Sequence, residues 1–501
     1  SMMTPRNFAK GVIPHGTTTV VTDPHEVANV CGMEGVRYMH EAGDGLPMRQ
    51  LIDIPSCVPA VPGLENAGAE FFAKEVEELS SMERVIGLDE VMDFLAVIHG
   101  EDRMMDIIDV MDKKGLYLQG HAPSVSGRML SAYLCGGPNT CHESRERNEA
   151  LEKLRSGMYV DARESSITKN VEEICEGVKG VRFFDHFCLC TDDREADDIL
   201  HAGHMNDVVR TAIRSGMDPV TAIKSATLNT AKEIHIENLG AIAPGYVADM
   251  LLVSDLEELK PDLVFFGGRL VAEKGHMTVP IEAREYPLEK VNTMYVKDLK
   301  TEDFRIKAPV ENGTVTVHVM EYPDLLLSST ELTTARVPVK DGYVCLEGED
   351  LKFVAVVNRH KGHDTIGLGI VKGFGTTCGA LASTVSHDSH NLTVVYDSAE
   401  NALMAANALI QCGGGMSAVK DGRLLHVLEL PLAGLISLKD ATELAKDSQV
   451  MKEANRELGL TGLENPLLRI VTLALPVIPK VKMSDLGMVD VLRKELIPLF
   501  V

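Results

Sequence analysis

Gly16-Thr-Thr-Thr-Val-Val-Thr-Asp-Pro-His-Glu26 is the stretch that decides how this chain is read. Thr17 to Thr22 is rich in β-branched residues, the composition of a strand. It stops abruptly at Asp23-Pro-His25-Glu26, and from about Val27 to Ala42 apolar residues return at helical spacing. A strand that ends in polar side chains and passes straight into a helix is one βα unit, with its reactive groups at the strand's C-terminal end.

The unit repeats along the chain. Leu51 to Ile54, Val85 to Leu88 and Leu116 to Gln119 read as the next strands, and Lys114-Gly115 stops the helix before the last of them. Further strands are expected near Thr140, at Met158 to Asp161 and at Phe187 to Cys190. Seven strands alternating with helices predict an α/β fold. A TIM-like (β/α)8 barrel lacking its first strand gives this count, and residues 1–235 are assigned to it. After Thr191 helices take over, at Met205 to Ser215, Pro219 to Ala226 and Asn229 to Ile234. The run Leu239 to Val253, with its Pro244-Gly245 turn, then leads into a hairpin of Val264 to Gly268 and Leu270 to Ala272. These features predict part of a small β-sandwich over 236–285. Charges and Pro287 break the pattern from Glu285 to Lys290. Residues 295–501 mix β-rich runs (Val315 to Met320, Phe353 to Val357, Leu392 to Val395) with helices such as Ala399 to Ile410, the pattern of an additional α+β domain. Gly413 to Gly415 lacks a following Lys-Ser/Thr, which predicts a tight turn rather than a phosphate loop.

Composition narrows the partners. The 501 residues carry a net charge of −25, which argues against a nucleic-acid or anionic-membrane surface. No apolar run approaches the length of a membrane span. Ten cysteines without a CxxC pair fit reduced thiols and a cytoplasmic location. A homodimer is compatible with so acidic a surface.

The informative test is which residue stands just after each strand. Glu90 follows the run at 85–88, His121 the run at 116–119, His142 the strand near Thr140, and Asp192-Asp193 the run at 187–190. Each alone has an ordinary explanation. A strand-end histidine is often structural, an aspartate often caps the next helix, and a glutamate often sits solvated in a first turn. Together, on four strands in barrel order, they predict one shared site suited to Zn, Mn or Fe(II). Such a site supports metal-assisted hydrolysis, with Glu90 placed to bridge two ions and an aspartate at the last strand placed to move protons.

These motifs resemble the amidohydrolase superfamily and, within it, the adenine deaminase family. The resemblance spans the whole chain. It rests on Ser1-Met-Met-Thr-Pro5, the run 16–26, Gly120-His-Ala-Pro123, Cys141-His-Glu-Ser144 and Cys190-Thr-Asp-Asp-Arg194. Two C-terminal stretches, Asn358-Arg-His360 and Ser386-His-Asp-Ser-His-Asn391, are similar to adenine deaminases in particular. The resemblance implies hydrolysis of adenine to hypoxanthine and ammonia by a binuclear centre of Mn²⁺ or Fe²⁺, with Zn²⁺ as a further option. It implies Glu90 as the bridging carboxylate, His121 and His142 as ligands, and Asp192 as ligand and proton relay, with Asp193 its competitor. His25 and Glu26 are expected to line the substrate pocket. His387, Asp388 and His390 are expected to form a packed loop rather than to reach the barrel. The family's first strand ends in His-x-His, ahead of the segment matching residues 1–5. No His-x-His occurs in this sequence, so four of six expected ligands are in hand, and a truncated view of a longer protein is the expectation. Two alternatives use the same residues: an amidohydrolase acting on another cyclic amide or amidine, and a catalytically dead scaffold.

Overall fold

A computed structural model describes residues 1–282, 292–348 and 350–501. Seven parallel strands form the first part. β1 (Thr19–Thr22), β2 (Arg49–Ile54), β3 (Val85–Val91) and β4 (Tyr117–Gly120) pair in order, as do β5 (Thr140–Cys141), β6 (Tyr159–Arg163) and β7 (Phe187–Cys190). The two sheets abut where the backbone N–H of Gly120 donates to Thr140 Oγ1 at 2.9 Å. A Cβ on Gly120 would sit 2.1 Å from the Thr140 carbonyl, so only glycine permits that approach. The strand count and order match the reading of the sequence, and helices pack outside.

Two local expectations are corrected. The predicted helix from Val27 to Ala42 is two helices, His25–Cys31 and Met33–Ala42, split at Gly32 (φ 62°, ψ −147°). That conformation is closed to residues with a Cβ, so the apolar periodicity runs through a break it cannot reveal. The third strand runs on through Asp89-Glu90 to Val91, which places Glu90 within its last residues rather than after it. Asp192 and Asp193 do not cap the following helix, Ala196–His201, which starts from Glu195.

A four-stranded antiparallel sheet follows, formed by Met250–Val253, Pro261–Phe266, Arg269–Glu273 and His276–Met277. Its central hairpin turns at Gly267-Gly268, as expected. The expected break at 285–290 lies outside the described residues.

The last part is built on a nine-stranded mixed sheet running from Gly313 to Glu429. Along Leu351–Val357 the side chains alternate between its two faces. Ala355 and Val357 pack with Ala402, Ala405 and Leu409 of the helix Ala399–Cys412. Val354 and Val356 face a larger core that also holds Leu444 and Met451 of the helix Ala441–Glu457, and Ala196 and Ile199 of the barrel side. Met2, Met3 and Ala9 join that same core. The triple glycine does make a tight turn: Gly413 takes φ 86° to end its helix, and a Cβ on Gly414 would meet Gly434 Cα at 2.5 Å. Among the described residues no helix is long and apolar enough to cross a membrane.

Candidate active site

The C-terminal ends of the barrel strands open into a cavity of about 770 Å³. Three side chains meet there. Glu90 Oε2 lies 2.5 Å from His121 Nδ1 and 2.9 Å from His142 Nε2. All three are at least largely buried, with side-chain exposures between 10% and 14%. Burial opposes a charged Glu90, but the two imidazoles outweigh it and hold its carboxyl well below the usual range. The same pairing, against burial, raises His142 to about 10. One carboxylate oxygen and two imidazole nitrogens within 4.8 Å of one another form a donor set that fits a divalent transition metal. The three residues predicted from three strand ends are thus brought together.

The other Glu90 oxygen points elsewhere. Oε1 lies 3.7 Å from His25 Nε2, while His25 Nδ1 is held at 3.0 Å by Asp89 Oδ2. A carboxylate behind an imidazole fixes its orientation and tautomer. The structure therefore places His25, expected as a pocket residue, against the predicted ligand Glu90. Asp89 itself is pushed up to about 6, by burial first.

Asp192 is not drawn into the three-residue cluster. It lines the same cavity, at φ 54°, and is ion-paired with Arg163. Arg163 Nη1 also lies 2.6 Å from Glu143 Oε1, which it holds at about 2 although burial opposes that charge. Glu26 and Asp193 line the cavity as well, beside His387. That position of His387 overturns the packed-loop expectation for it. The loop does pack, but it carries this side chain into the barrel mouth. Asp388 lines the cavity too, although only 1% of its side chain is exposed, as does the buried His390.

Arg163 and Glu143 were not among the sequence candidates. Arg163 escaped because the sixth strand was ended at Asp161, whereas its register with β7 continues to the Arg163–Cys190 pair. Applied to the true strand end, the same test finds it. A second buried group, Asp161, Cys188 and Glu233, sits deeper in the barrel with Tyr117, whose hydroxyl donates to Glu233 Oε1 at 3.0 Å. Inward-facing side chains in mid-strand carry no mark in the sequence that separates them from core polar residues.

The amidohydrolase family matches residues 1–271, and the adenine deaminase C-terminal domain matches residues 328–495. The chain is 40% identical to an adenine deaminase of Moorella thermoacetica over 504 aligned positions, covering 100% of this chain and 84% of that protein. It is 39% identical to adenine deaminase 2 of Carboxydothermus hydrogenoformans (99% and 86%) and 39% identical to an adenine deaminase of Bacillus velezensis (100% and 86%). A β-aspartyl dipeptidase from Fervidobacterium islandicum AW-1 superposes on 55% of this chain and 77% of its own, with a TM-score of 0.42 and 17% identity, too distant to bear on function.

Proposed function

Because the chain belongs to the adenine deaminase family of the amidohydrolases, we propose that it hydrolyses adenine to hypoxanthine and ammonia at the Glu90–His121–His142 cluster. The observation that carries the placement is the convergence of one carboxylate and two imidazoles, from three successive strand ends, on one point.

A divalent ion bound there supplies a water that ionises near neutral pH and a Lewis acid. The chain's own groups do the rest. Glu90 faces His121 and His142 with one oxygen and His25 with the other, so together with those imidazoles it would hold the divalent metal. Asp192 takes a proton from the attacking water and delivers it to the departing amino group. Arg163, paired to both Asp192 and Glu143, orients that carboxylate. His25, Glu26 and Asp193 contact the purine. Mn²⁺ or Fe²⁺ suits this donor set, with Zn²⁺ as the competitor. The proposal includes a barrel over 1–235, the remainder of a small β-domain over 236–285 and an α+β domain over 295–501. It also includes a cytoplasmic location, supported by ten cysteines that are all free, and a homodimer, with which the acidic composition is compatible.

The test is hypoxanthine formation from adenine by protein expressed from its complete coding sequence and loaded with Mn²⁺ or Fe²⁺. Turnover should vanish with chelator. Glu90→Gln and Asp192→Asn should each lower kcat by about a thousandfold or more, the scale of losing a group that acts in the transition state. A folded, metal-loaded protein that leaves adenine untouched would reject the substrate. Full activity in either variant would remove that residue from its role.

A further inference from the structure

The C-terminal part lends the loop 386–391 to the barrel mouth, where His387 is its most outward-reaching polar side chain. The loop 386–391 is rigidly held. Its His387 N–H donates to the Val471 carbonyl at 3.0 Å, Ser386 Oγ and Thr393 Oγ1 lie 2.8 Å apart, and the carbonyls of Ser389 and His390 are taken by His360 Nε2 (2.6 Å) and Arg359 Nε (2.5 Å). From this scaffold His387 projects into the cavity with only 12% of its side chain exposed.

The ring has two different sides. Nδ1 lies 3.4 Å from Asp388 Oδ1, and Asp388 is itself 1% exposed. Nε2 faces the cavity, 3.8 Å from Asp193 Oδ2, and a ring nitrogen of His387 lies within 4.8 Å of the ligand atoms of His25 and Glu26. A separation of 3.8 Å is too long for a hydrogen bond. Nε2 and the two carboxylates thus stand close together without satisfying one another, and a ligand can do so. On the far side of His25, whose Nε2 is 3.7 Å from Glu90, lie the metal-binding residues. The cavity therefore has two poles, a metal-competent one at Glu90, His121 and His142 and a donor–acceptor one at His387, Glu26 and Asp193, with His25 between them.

We propose that His387 is a specificity-determining residue that reads the N3/N9–H edge of adenine, its Nε2–H donating to N3 while Glu26 or Asp193 accepts from N9–H. The inference rests on the deaminase reading above. With C6 and its amino group at the metal-competent pole, the edge carrying N3 and N9–H faces the other pole. That edge presents an acceptor beside a donor, the complement of a histidine N–H beside a carboxylate. Burial disfavours a charged His387, but its hydrogen bond to Asp388 and the charges of Asp193 and Glu26 prevail and raise it to about 9, so Nε2 carries a proton at neutral pH. A base substituted at N9, as in a nucleoside, loses the donor and meets the carboxylates instead.

Steady-state kinetics of the Mn²⁺-loaded protein, expressed from its complete coding sequence, test this with adenine, 3-deazaadenine and 9-methyladenine. Wild-type protein should prefer adenine to both analogues. His387→Ala should raise KM for adenine by about tenfold or more while kcat stays within about threefold, as expected for lost binding at a hydrogen-bonded edge. Its bound Mn²⁺, measured by atomic absorption, should be unchanged. Its preference for adenine over 3-deazaadenine should collapse, and His387→Gln, which keeps a donor, should restore part of it. Unchanged KM in both variants, or undiminished preference against 3-deazaadenine, overturns the role of His387 and leaves the deaminase reading standing. Wild-type protein inert toward adenine overturns both.

Discussion

Lys153 shows what a single residue can do here without touching substrate. Its side chain is fully buried, and Nζ donates to the Ala122 carbonyl (2.7 Å), Cys141 Sγ (3.2 Å), Ser144 Oγ (3.1 Å) and Glu149 Oε1 (2.6 Å). Ala122 follows His121 and Cys141 precedes His142, so one ammonium ties the backbones behind two metal-competent imidazoles. Replacing it with methionine leaves Glu149 without its counter-charge, although the Ser124 and Arg145 N–H groups still donate to it, and should cost about 3 kcal/mol, the low end for breaking a buried pair from one side. Equilibrium urea unfolding measures that loss, and a value under about 1 kcal/mol would refute the account. Nothing in the sequence marks Lys153, which reads as one more lysine on an amphipathic helix. Glu90, His121 and His142 were legible because strand ends converge, a rule that needs only the order of strands. Lys153 acts through geometry that no spacing encodes, and Arg163 was hidden only by the misread end of β6.

At the scale of elements, Gly32 sets the angle between the two helices that follow β1. A Cβ there would meet both a forbidden backbone conformation and the Cβ of Ala69 at 3.2 Å. Gly32→Ala should destabilise by about 1–3 kcal/mol, read as a lower urea midpoint with unchanged slope. A second element-level device joins the loop after β2 to the turn between the strands Val481–Ser484 and Gly487–Asp490: Asn66 Nδ2 donates to Asp485 Oδ2 at 2.7 Å, beside the buried Glu65. Burial pushes Glu65 up to about 8 from an ordinary 4.5, with the charges of Asp388 and Asp485 adding to it, although a hydrogen bond from the Val61 N–H pulls the other way. The folded state thus holds a proton that the unfolded chain releases above pH 4.5. This contribution is full below pH 4.5 and is lost as pH rises toward 8. Glu65→Gln should flatten that part of the stability profile by a few kcal/mol. An identical pH slope in both proteins would place the titration elsewhere. The strands themselves were readable from β-branched runs. Their exact ends, the break at Gly32 and the interlock at Asn66–Asp485 were not, because each depends on contacts between distant segments.

At the scale of the whole molecule, one large core joins the beginning of the chain, the barrel side and the C-terminal part. Residues as far apart in sequence as Met2, Ile199, Val354 and Met488 belong to the same buried cluster. The elements follow one another in the order read from the sequence, but periodicity cannot show that two such units share a core. Calorimetry should therefore give one transition whose calorimetric and van't Hoff enthalpies agree; two resolved peaks would mean the shared core does not couple the parts. The stitching at the beginning of this chain extends the point. Ser437 N–H donates to the Met2 carbonyl at 2.9 Å, and Asn7 Nδ2 donates to the Lys439 carbonyl across 432 residues. Asn7 lies in the helix Pro5–Val12; at a ribosomal pace of about 5–20 residues per second, its partner leaves the exit tunnel roughly 20–90 s after that helix does. Throughout that interval Met2, Met3 and Val12 lack the C-terminal half of the core they join, which makes the emerging segment a natural client for a chaperone that shields apolar segments until synthesis is nearly complete.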